Sequence, residues 1–433
     1  MLFLYYVLRH IYTFLLYLLT PFIVLRLYWK SWRLPAYRYR IAERFSFGCS
    51  TITPVDFWVH AVSLGEVVAA TPLIEALLAR KGRVLVTTMT PTGSGQVIKR
   101  FGQKVEHQYI PYDLPWGLRR FFKRVNPRLG IIMETELWPN LIHQAQQMKI
   151  PLLLVNARLS DHAFQCYEKV SFLFKPILNQ FTAIFTQSHD DAKRFIAIGA
   201  SAMRVEVLGN MKFDLPLQVP VNHEVTQFKE RWGMTRKVVI AASTHDDEEK
   251  QLLSHLSKLK EAIPHVLLLV APRHPERFQA VYHMSLAEGF NTGRRSQPDM
   301  IQASTDVLVI DSLGELLHFY QLSDYAFVGG SLVPVGGHNV LEPIAVQVPV
   351  FCGPYMNNSK AICEDLLAAG AMVMVNTVDE LMTTLIYLYH HDTVRQQQII
   401  NASAVLTANR GTVARCMEKI EAVLAHEGDK QAF

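Results

Sequence analysis

Cysteine is scarce and shows no pattern. Five occur in 433 residues (Cys49, Cys166, Cys352, Cys363, Cys416), odd in number, scattered and never spaced C-x-x-C. This excludes a disulfide framework or a zinc site read from spacing, and it fits a reducing, cytosolic environment. Charge is also sparse, at 19% of residues, and 43 basic against 38 acidic side chains leave a net of only +5. Such a balance fits contact with anionic lipid or phosphate but carries no concentrated nucleic-acid footprint. The usual nucleotide and hydrolase fingerprints are missing. "TPTGSGQ" is not G-x-G-x-x-G and brings no acidic residue at dinucleotide spacing, and neither G-x-x-x-x-G-K-[ST] nor a G-x-S-x-G elbow occurs. Repeats and low-complexity tracts are absent. What is present is apolar: half the residues are hydrophobic, which excludes disorder, and 433 residues exceed one compact core, so two globular domains are expected.

The N-terminus, "MLFLYYVLRHIYTFLLYLLTPFIVLRLYWKSWRLPAYRYR", is apolar to Leu25 and then basic. Arg9 and His10 divide the run, and Pro21 sits in its longer piece, Ile11 to Leu25, which is shorter than the roughly 20 residues that span a bilayer. A spanning helix and one lying in the interface both fit. Tyr28, Trp29 and Trp32, interleaved with Arg26, Lys30 and Arg33, form an interfacial aromatic belt with cations for phospholipid headgroups. A signal peptide is disfavoured, because it carries its charges before the apolar core. Residues 1–40 are therefore expected to be a membrane anchor, with the body cytosolic by the positive-inside rule.

Beyond the anchor, short apolar strands alternate with helical periodicity: "FWVHAV", "RVLVTTM", "RLGIIM", "PLLLVNA", "AIFTQS", then "KVVIAAS", "HVLLLVA", "VLVI", "YAFVGGS" and "VPVFCGP". That rhythm predicts parallel sheets covered on both faces. Pro216 and Pro220 mark a linker at 215–224, separating a doubly wound α/β domain at 42–214 from a second at 225–405, with a C-terminal helix at 406–433. Ligands of such sheets bind outside the carboxyl ends of the strands, so polar residues there are the candidates.

In "HAVSLGEVV", Glu66 falls in the first turn of a helix leaving a strand, where it is either a capping-box partner of Ser63 or a catalytic base. "IIMETELWPN" adds Glu134 and Glu136, which alternate along an extended segment and so point the same way, unless Glu136 only caps or solvates the next helix. The second domain offers cations. "VAPRHPERF" ends a strand with Arg273, His274 and Arg277 on a proline-stiffened loop suited to phosphate, against the alternative of a solvated basic loop. Lys212 in "GNMKFD" lies at the domain junction, solvated or reaching a ligand. Gly314 and Glu315 in "SLGELLHFY" are equally consistent with a helix start. The acids of "STHDDEE" are what a helix macrodipole favours, and no metal is expected. In "FVGGSLVPVGGHNVLEP", Asn339 and Glu342 have cap-box spacing; free amides after Gly336 and Gly337 would suit a phosphate, and the glycines would let backbone approach a nucleotide.

Taken together, "VSLGEVVAATPL", "TTMTPTGS", "YIPYDLP", "IMETELWPN", "NARLS", "GNMKFD", "PRHPERF" and "FVGGSLVPVGGHNVLEP" resemble the Kdo transferase family, in order and as far as about residue 380. The resemblance implies a GT-B glycosyltransferase of two Rossmann-like domains facing a cleft, with acceptor on the first and CMP-Kdo on the second. It implies transfer of 3-deoxy-D-manno-octulosonic acid (Kdo) from CMP-Kdo to a lipid A precursor, with inversion and without a metal. Residue by residue, Glu66 matches the base, and Glu134 and Lys212 match transition-state stabilisers. Pro272 and Arg273, Leu313 to Glu315, and Asn339, Val340, Leu341 and Glu342 match CMP-binding segments. Flanking candidates are Ser63, Gly65, Glu136, His274, Gly330, Ser331, Gly336, Gly337 and His338, the last as loop-organiser or donor contact. Two readings compete: a GT-B protein using a UDP-sugar, or a membrane-attached nucleotide- or lipid-binding protein without chemistry.

Overall fold

The computed structural model describes residues 2–32, 34–47, 54–215 and 223–431; Arg33, Cys49, Pro216, Pro220 and most of the expected linker lie outside the described residues. The chain divides into two compact units, Met1–Pro216 together with Asn409–Phe433, and Leu217–Ala408.

The first unit holds a parallel sheet of β1 (Phe57–His60), β2 (Val84–Thr88), β3 (Glu106–Tyr109), β4 (Leu129–Met133), β5 (Leu152–Ala157), β6 (Ala183–Thr186) and β7 (Val205–Val207), in the order β3-β2-β1-β4-β5-β6-β7. The second unit repeats the architecture with β8 (Val238–Thr244), β9 (Leu267–Pro272), β10 (Thr292–Arg294), β11 (Val307–Val309), β12 (Tyr325–Val328), β13 (Val350–Cys352) and β14 (Val373–Met374), ordered β10-β11-β9-β8-β12-β13-β14. Strand order reverses beside β1 and beside β8, where crossover helices pass to opposite faces. Loops splay apart there, which opens a crevice at the strand carboxyl ends.

Every strand of the interior sheet positions is an apolar run, because helices cover it on both sides. Period-two alternation divides the side chains. In β1, Trp58 packs with Phe121, Phe122 and Phe181 on one face, while Phe57 and Val59 join Leu73, Ile74 and Phe101 on the other. The four sheet edges are β3, β7, β10 and β14, and the first three carry no apolar run (EHQY, VEV, TGR).

The last helix, Thr412–Gln431, belongs to the first unit. Cys416, Met417 and Ile420 are buried in its core. Its start is fixed by Asp214, whose carboxylate accepts from Gly411 N at 2.7 Å and Val413 N at 2.6 Å. Asp at a helix start satisfies amides that have no intrahelical partner.

The N-terminal segment corrects its sequence reading. Leu2–Ser31 is one helix of 30 residues with Pro21 inside it, unbroken at Arg9 and His10. At 1.5 Å per residue it is about 45 Å long. Its inner stripe is bound to the first unit: Arg9 and Thr13 donate to Asn140 Oδ1 at 3.3 and 3.1 Å, and Gln180 donates to the Tyr5 hydroxyl at 3.3 Å. Arg9 therefore interrupts hydropathy without interrupting the helix. Its charge faces a polar partner and not the apolar outer stripe, where Phe14, Leu18, Phe22, Leu25 and Trp29 are each more than 60% exposed.

Candidate active site

Two clusters of functional side chains stand at strand carboxyl ends, one in each unit.

In the first unit, the chain leaves β1 through Val62 and Ser63 into the helix Leu64–Ala79. Ser63 caps that helix, accepting from Glu66 N, and Ser63 Oγ donates to Glu66 Oε1 at 2.8 Å. Glu66 Oε2 accepts from Val62 N at 2.8 Å. Cap and candidate base are thus one arrangement, which holds the carboxylate in a fixed rotamer at the helix start. Glu66 is only 8% exposed. Burial raises its pKa to about 7, the Val62 and Ser63 bonds pull against that rise, and the nearby charges of Glu134 and Glu136 add to it. A carboxyl poised near neutrality is suited to take a proton from a hydroxyl.

Glu134 and Glu136 do converge on Glu66, but not by alternating along an extended segment. Glu134 has φ 56° and begins a turn directly after β4. A left-handed non-glycine residue costs on the order of 1 kcal/mol, and the site holds it by Glu134 N donating to Val155 O at 3.0 Å. Glu134 Oε2 accepts from Arg158 Nε at 3.0 Å. Glu136 neither caps nor solvates a helix. It accepts from Trp138 Nε1 at 2.6 Å, and its pKa is raised, chiefly by burial and further by Glu134. Lys212 follows β7, its backbone held by Asn210 Oδ1 at 3.0 Å. Burial lowers the pKa of this lysine, Glu134 opposes the effect and Arg158 adds to it. Lys212 is therefore not a solvated surface cation but part of the same charge group. Gly65, one position before Glu66, has room for a Cβ, which would meet only Ser63 Oγ at 3.9 Å.

In the second unit, Pro272 ends β9 and Arg273 follows, exposed, with its N–H held by Thr244 O at 3.0 Å. Among the described residues the Arg273 guanidinium has no acceptor. Arg277 behaves differently. It binds the buried Glu249 carboxylate through Nε at 3.0 Å and also pairs with Asp246. Its pairing removes it from the cations read as available for phosphate. The "STHDDEE" acids are likewise more than macrodipole partners. Glu248 is fully buried and accepts from His245 N (3.0 Å), Gly330 N (2.7 Å), Ser331 N (3.0 Å) and Leu332 N (2.9 Å), pinning the loop after β12 to the helix Asp246–Ala262. Ser331 is structural too, donating to Val328 O and accepting from Gly353 N at 2.8 Å.

Leu313 is 67% exposed beside Gly314 (φ 89°). Glu315 is bound by Arg295 through Nε at 3.1 Å and Nη2 at 2.9 Å, and also accepts from Ser312. Burial would raise its pKa, but Arg295 and Ser312 outweigh it and hold the carboxylate ionised. Asn339 Oδ1 accepts from Leu341 N at 3.1 Å while its amide donates to Glu342 Oε1 at 3.0 Å. The helix that follows, Leu341–Ala345, has five residues, too few for a useful macrodipole, so the expected phosphate seat on its amides loses that support. Gly336 and Gly337 also meet a constraint from within the unit. Both have positive φ (109° and 71°), and a Cβ on Gly337 would sit 2.1 Å from Met356 Sδ, one on Gly336 2.8 Å from Asn358 Nδ2. They admit the protein's own segment at Met356 and Asn358. His338, beside them, bonds His245 through Nε2 at 3.1 Å.

Arg158, Arg295, His245 and Glu248 are the polar residues that sequence reasoning missed. Arg158 was visible only as part of "NARLS", and Arg295 sits beside an edge strand without an apolar signal. Among the described residues no group of three or more His, Cys, Asp or Glu side chains has metal-site geometry.

Comparison with known proteins matches the chain to a family. Residues 39–215 match the family model described as 3-Deoxy-D-manno-octulosonic-acid transferase (kdotransferase). The 3-deoxy-D-manno-octulosonic acid transferase of Haemophilus influenzae is 37% identical over 421 residues, 96% of this chain and 99% of the relative. That of Bordetella pertussis is 35% identical over 84% of this chain and 86% of its own. In fold, a glycosyltransferase from Rickettsia africae aligns over 87% of this chain and 99% of its own, at TM-score 0.58 and 12% identity. The pair of parallel α/β sheets is thus the GT-B type, and the chain belongs to the 3-deoxy-D-manno-octulosonic acid transferase family.

Proposed function

We propose that the chain transfers Kdo from CMP-Kdo to the glucosamine disaccharide of a lipid A precursor, inverting the anomeric centre, with Glu66 as general base. The observation that carries this reading is the Glu66 carboxyl, fixed by Val62 and Ser63 and raised to about 7 by burial, in a chain of this family. A sugar hydroxyl is a poor nucleophile. Glu66 takes its proton as the oxygen attacks the anomeric carbon, the bond from that carbon to the CMP phosphate breaks, and CMP departs as a dianion. Lys212 and Glu134 with Arg158 stabilise charge that develops in the transition state. On the donor side the guanidinium of Arg273, without an acceptor among the described residues, is the phosphate partner, since its planar fork matches an anion's oxygens. Pro272, Leu313, Gly314, Glu315 and the Asn339–Glu342 turn complete the nucleotide contacts.

A UDP-sugar is the second reading, favoured by the fold alone: UDP-GlcNAc 2-epimerase from Neisseria meningitidis aligns over 82% of this chain at TM-score 0.55 and 14% identity. Melting temperature separates the two, because a ligand of the native state stabilises by mass action. CMP at about 100 times its Kd raises stability by about 2.7 kcal/mol, and Arg273→Ala removes most of that gain at the same concentration. A rise with UDP and none with CMP refutes the donor assignment.

We also propose that the N-terminal helix attaches the enzyme to the inner membrane lying in the interface, since its inner stripe is already hydrogen-bonded to the first unit. Burying Phe14, Leu18 and Phe22 is worth roughly 1.5–3 kcal/mol each. Replacing all three with serine moves most of the protein to the soluble fraction, and unchanged sedimentation with membranes contradicts this attachment.

A further inference from the structure

Three imidazoles meet in the second unit at the ends of separate strands. His245 follows β8, His274 follows β9 and His338 lies on the glycine loop after β12. The His245 and His338 rings are nearly coplanar, 4° apart with centroids at 5.4 Å, and their Nε2 atoms are 3.1 Å apart. His274 stands edge-on to His245 at 5.3 Å. His245 is also the N-cap residue of the helix Asp246–Ala262: the Glu248 carboxylate accepts from His245 N, and the imidazole lies against the Glu248 N–H without closing a side-chain cap hydrogen bond.

This arrangement dictates where the protons sit. A protonated ring nitrogen would meet the Glu248 N–H head-on, so Nδ1 of neutral His245 is bare and its proton is on Nε2. Only one proton fits between two nitrogens 3.1 Å apart. His245 supplies it, His338 Nε2 accepts, and the proton of His338 is left on Nδ1. That N–H has no partner among the described residues, and the Arg273 charge is close enough to the ring to depress its pKa. We propose that His245 is a positioning residue that fixes His338 as an Nδ1–H donor to an anionic oxygen of the nucleotide sugar. This inference rests on the nucleotide-donor reading above.

The neighbourhood keeps both rings neutral. His338 is pushed down to about 4, first by burial and then by the charges of Arg273, His245 and His274. His245 is lowered by burial, with Glu248 opposing and His274, Arg273 and Arg277 adding. The hydrogen bond from His338 is therefore a neutral donor that persists across the physiological pH range instead of switching with protonation.

Calorimetric titration of the full-length protein with CMP, CMP-Kdo and cytidine at pH 6.5 and 8.5 tests this, together with long-range nitrogen NMR of the histidine rings. The wild type has His338 as the Nδ1–H tautomer and binds CMP with the same affinity at both pH values. His245→Ala and His245→Asn weaken CMP about tenfold at pH 8.5, the size of one hydrogen bond to a charged group. His245→Asn keeps the cap, which excludes a folding defect, and His245→Gln, whose amide N–H replaces Nε2–H, restores binding to within about threefold. Cytidine, which has no phosphate, is bound equally by all four proteins. Weakening with CMP-Kdo alone assigns the anionic oxygen to the sugar carboxylate in place of the phosphate. An Nε2–H tautomer of His338 in the wild type, or unchanged affinity of His245→Ala for both CMP and CMP-Kdo, overturns the inference. Failure of the wild type to bind either nucleotide overturns the donor reading instead, and the tautomer still decides the role of His245.

Discussion

Glu66→Gln lowers kcat for Kdo transfer by about 10²–10⁴-fold, the contribution of a positioned general base, and leaves CMP affinity unchanged. The local geometry makes glutamine a clean probe. Its oxygen replaces Glu66 Oε2 as acceptor of the Val62 N–H, and its amide faces Ser63 Oγ, which turns to accept. The cap therefore survives while the proton acceptor is lost. The pH dependence has a definite sign. A base works only when ionised, and burial has raised the Glu66 pKa to about 7. Wild-type kcat/KM for the acceptor thus rises with pH through about 7 and levels off above it. A carboxylate of ordinary pKa would instead give a flat profile from pH 6 upward. The Glu66→Gln residual rate carries no such rise; if it retains the wild-type profile, another group is the base.

Lys212→Ala lowers kcat by about 10²–10³-fold, the range found when one preorganised stabilising group is removed, while KM for CMP-Kdo changes only a few-fold. Lys212 is enclosed with Glu134 and Arg158, and burial already lowers its pKa. An interaction of this kind is used when charge develops, so its loss appears in kcat and in kcat/KM alike. A rise in KM at constant kcat would identify Lys212 as a ground-state contact only. Glu134→Gln perturbs the same cluster, and its effect and that of Lys212→Ala should fall short of additive, because the two side chains share one field.

The interior of both sheets was legible because buried parallel strands must be apolar on both faces, and ten such runs stand in the sequence. β3, β7 and β10 were not, since an edge strand needs an apolar surface on one side at most, "EHQY" of β3 being an example, and β14 pairs over only two residues. Candidate chemistry was legible where it coincides with a strand end, as for Glu66, Glu134, Lys212 and Arg273. What could not be read was which polar groups are already engaged. Arg277 and Arg273 are neighbours of the same type in sequence, and only packing reveals that Glu249 and Asp246 occupy one and leave the other open. Glu248 is indistinguishable from the acids around it until the loop from Gly330 to Leu332 is folded onto its carboxylate. Likewise the glycines of "VPVGGHN" point to a close approach, but not to what approaches: Met356 and Asn358 from the same unit. The left-handed turn at Glu134 shows the limit of pattern reading most clearly. The carboxylates converge as alternation suggested, through a conformation that alternation does not describe.

Mass spectrometry of the product formed from CMP-Kdo and a tetra-acylated lipid A precursor tests the central claim most directly. Wild-type protein should convert the precursor to a species heavier by one or more Kdo residues and release CMP, with Glu66→Gln yielding almost none. Precursor recovered unmodified with CMP-Kdo, but modified with a UDP-sugar, would contradict the account.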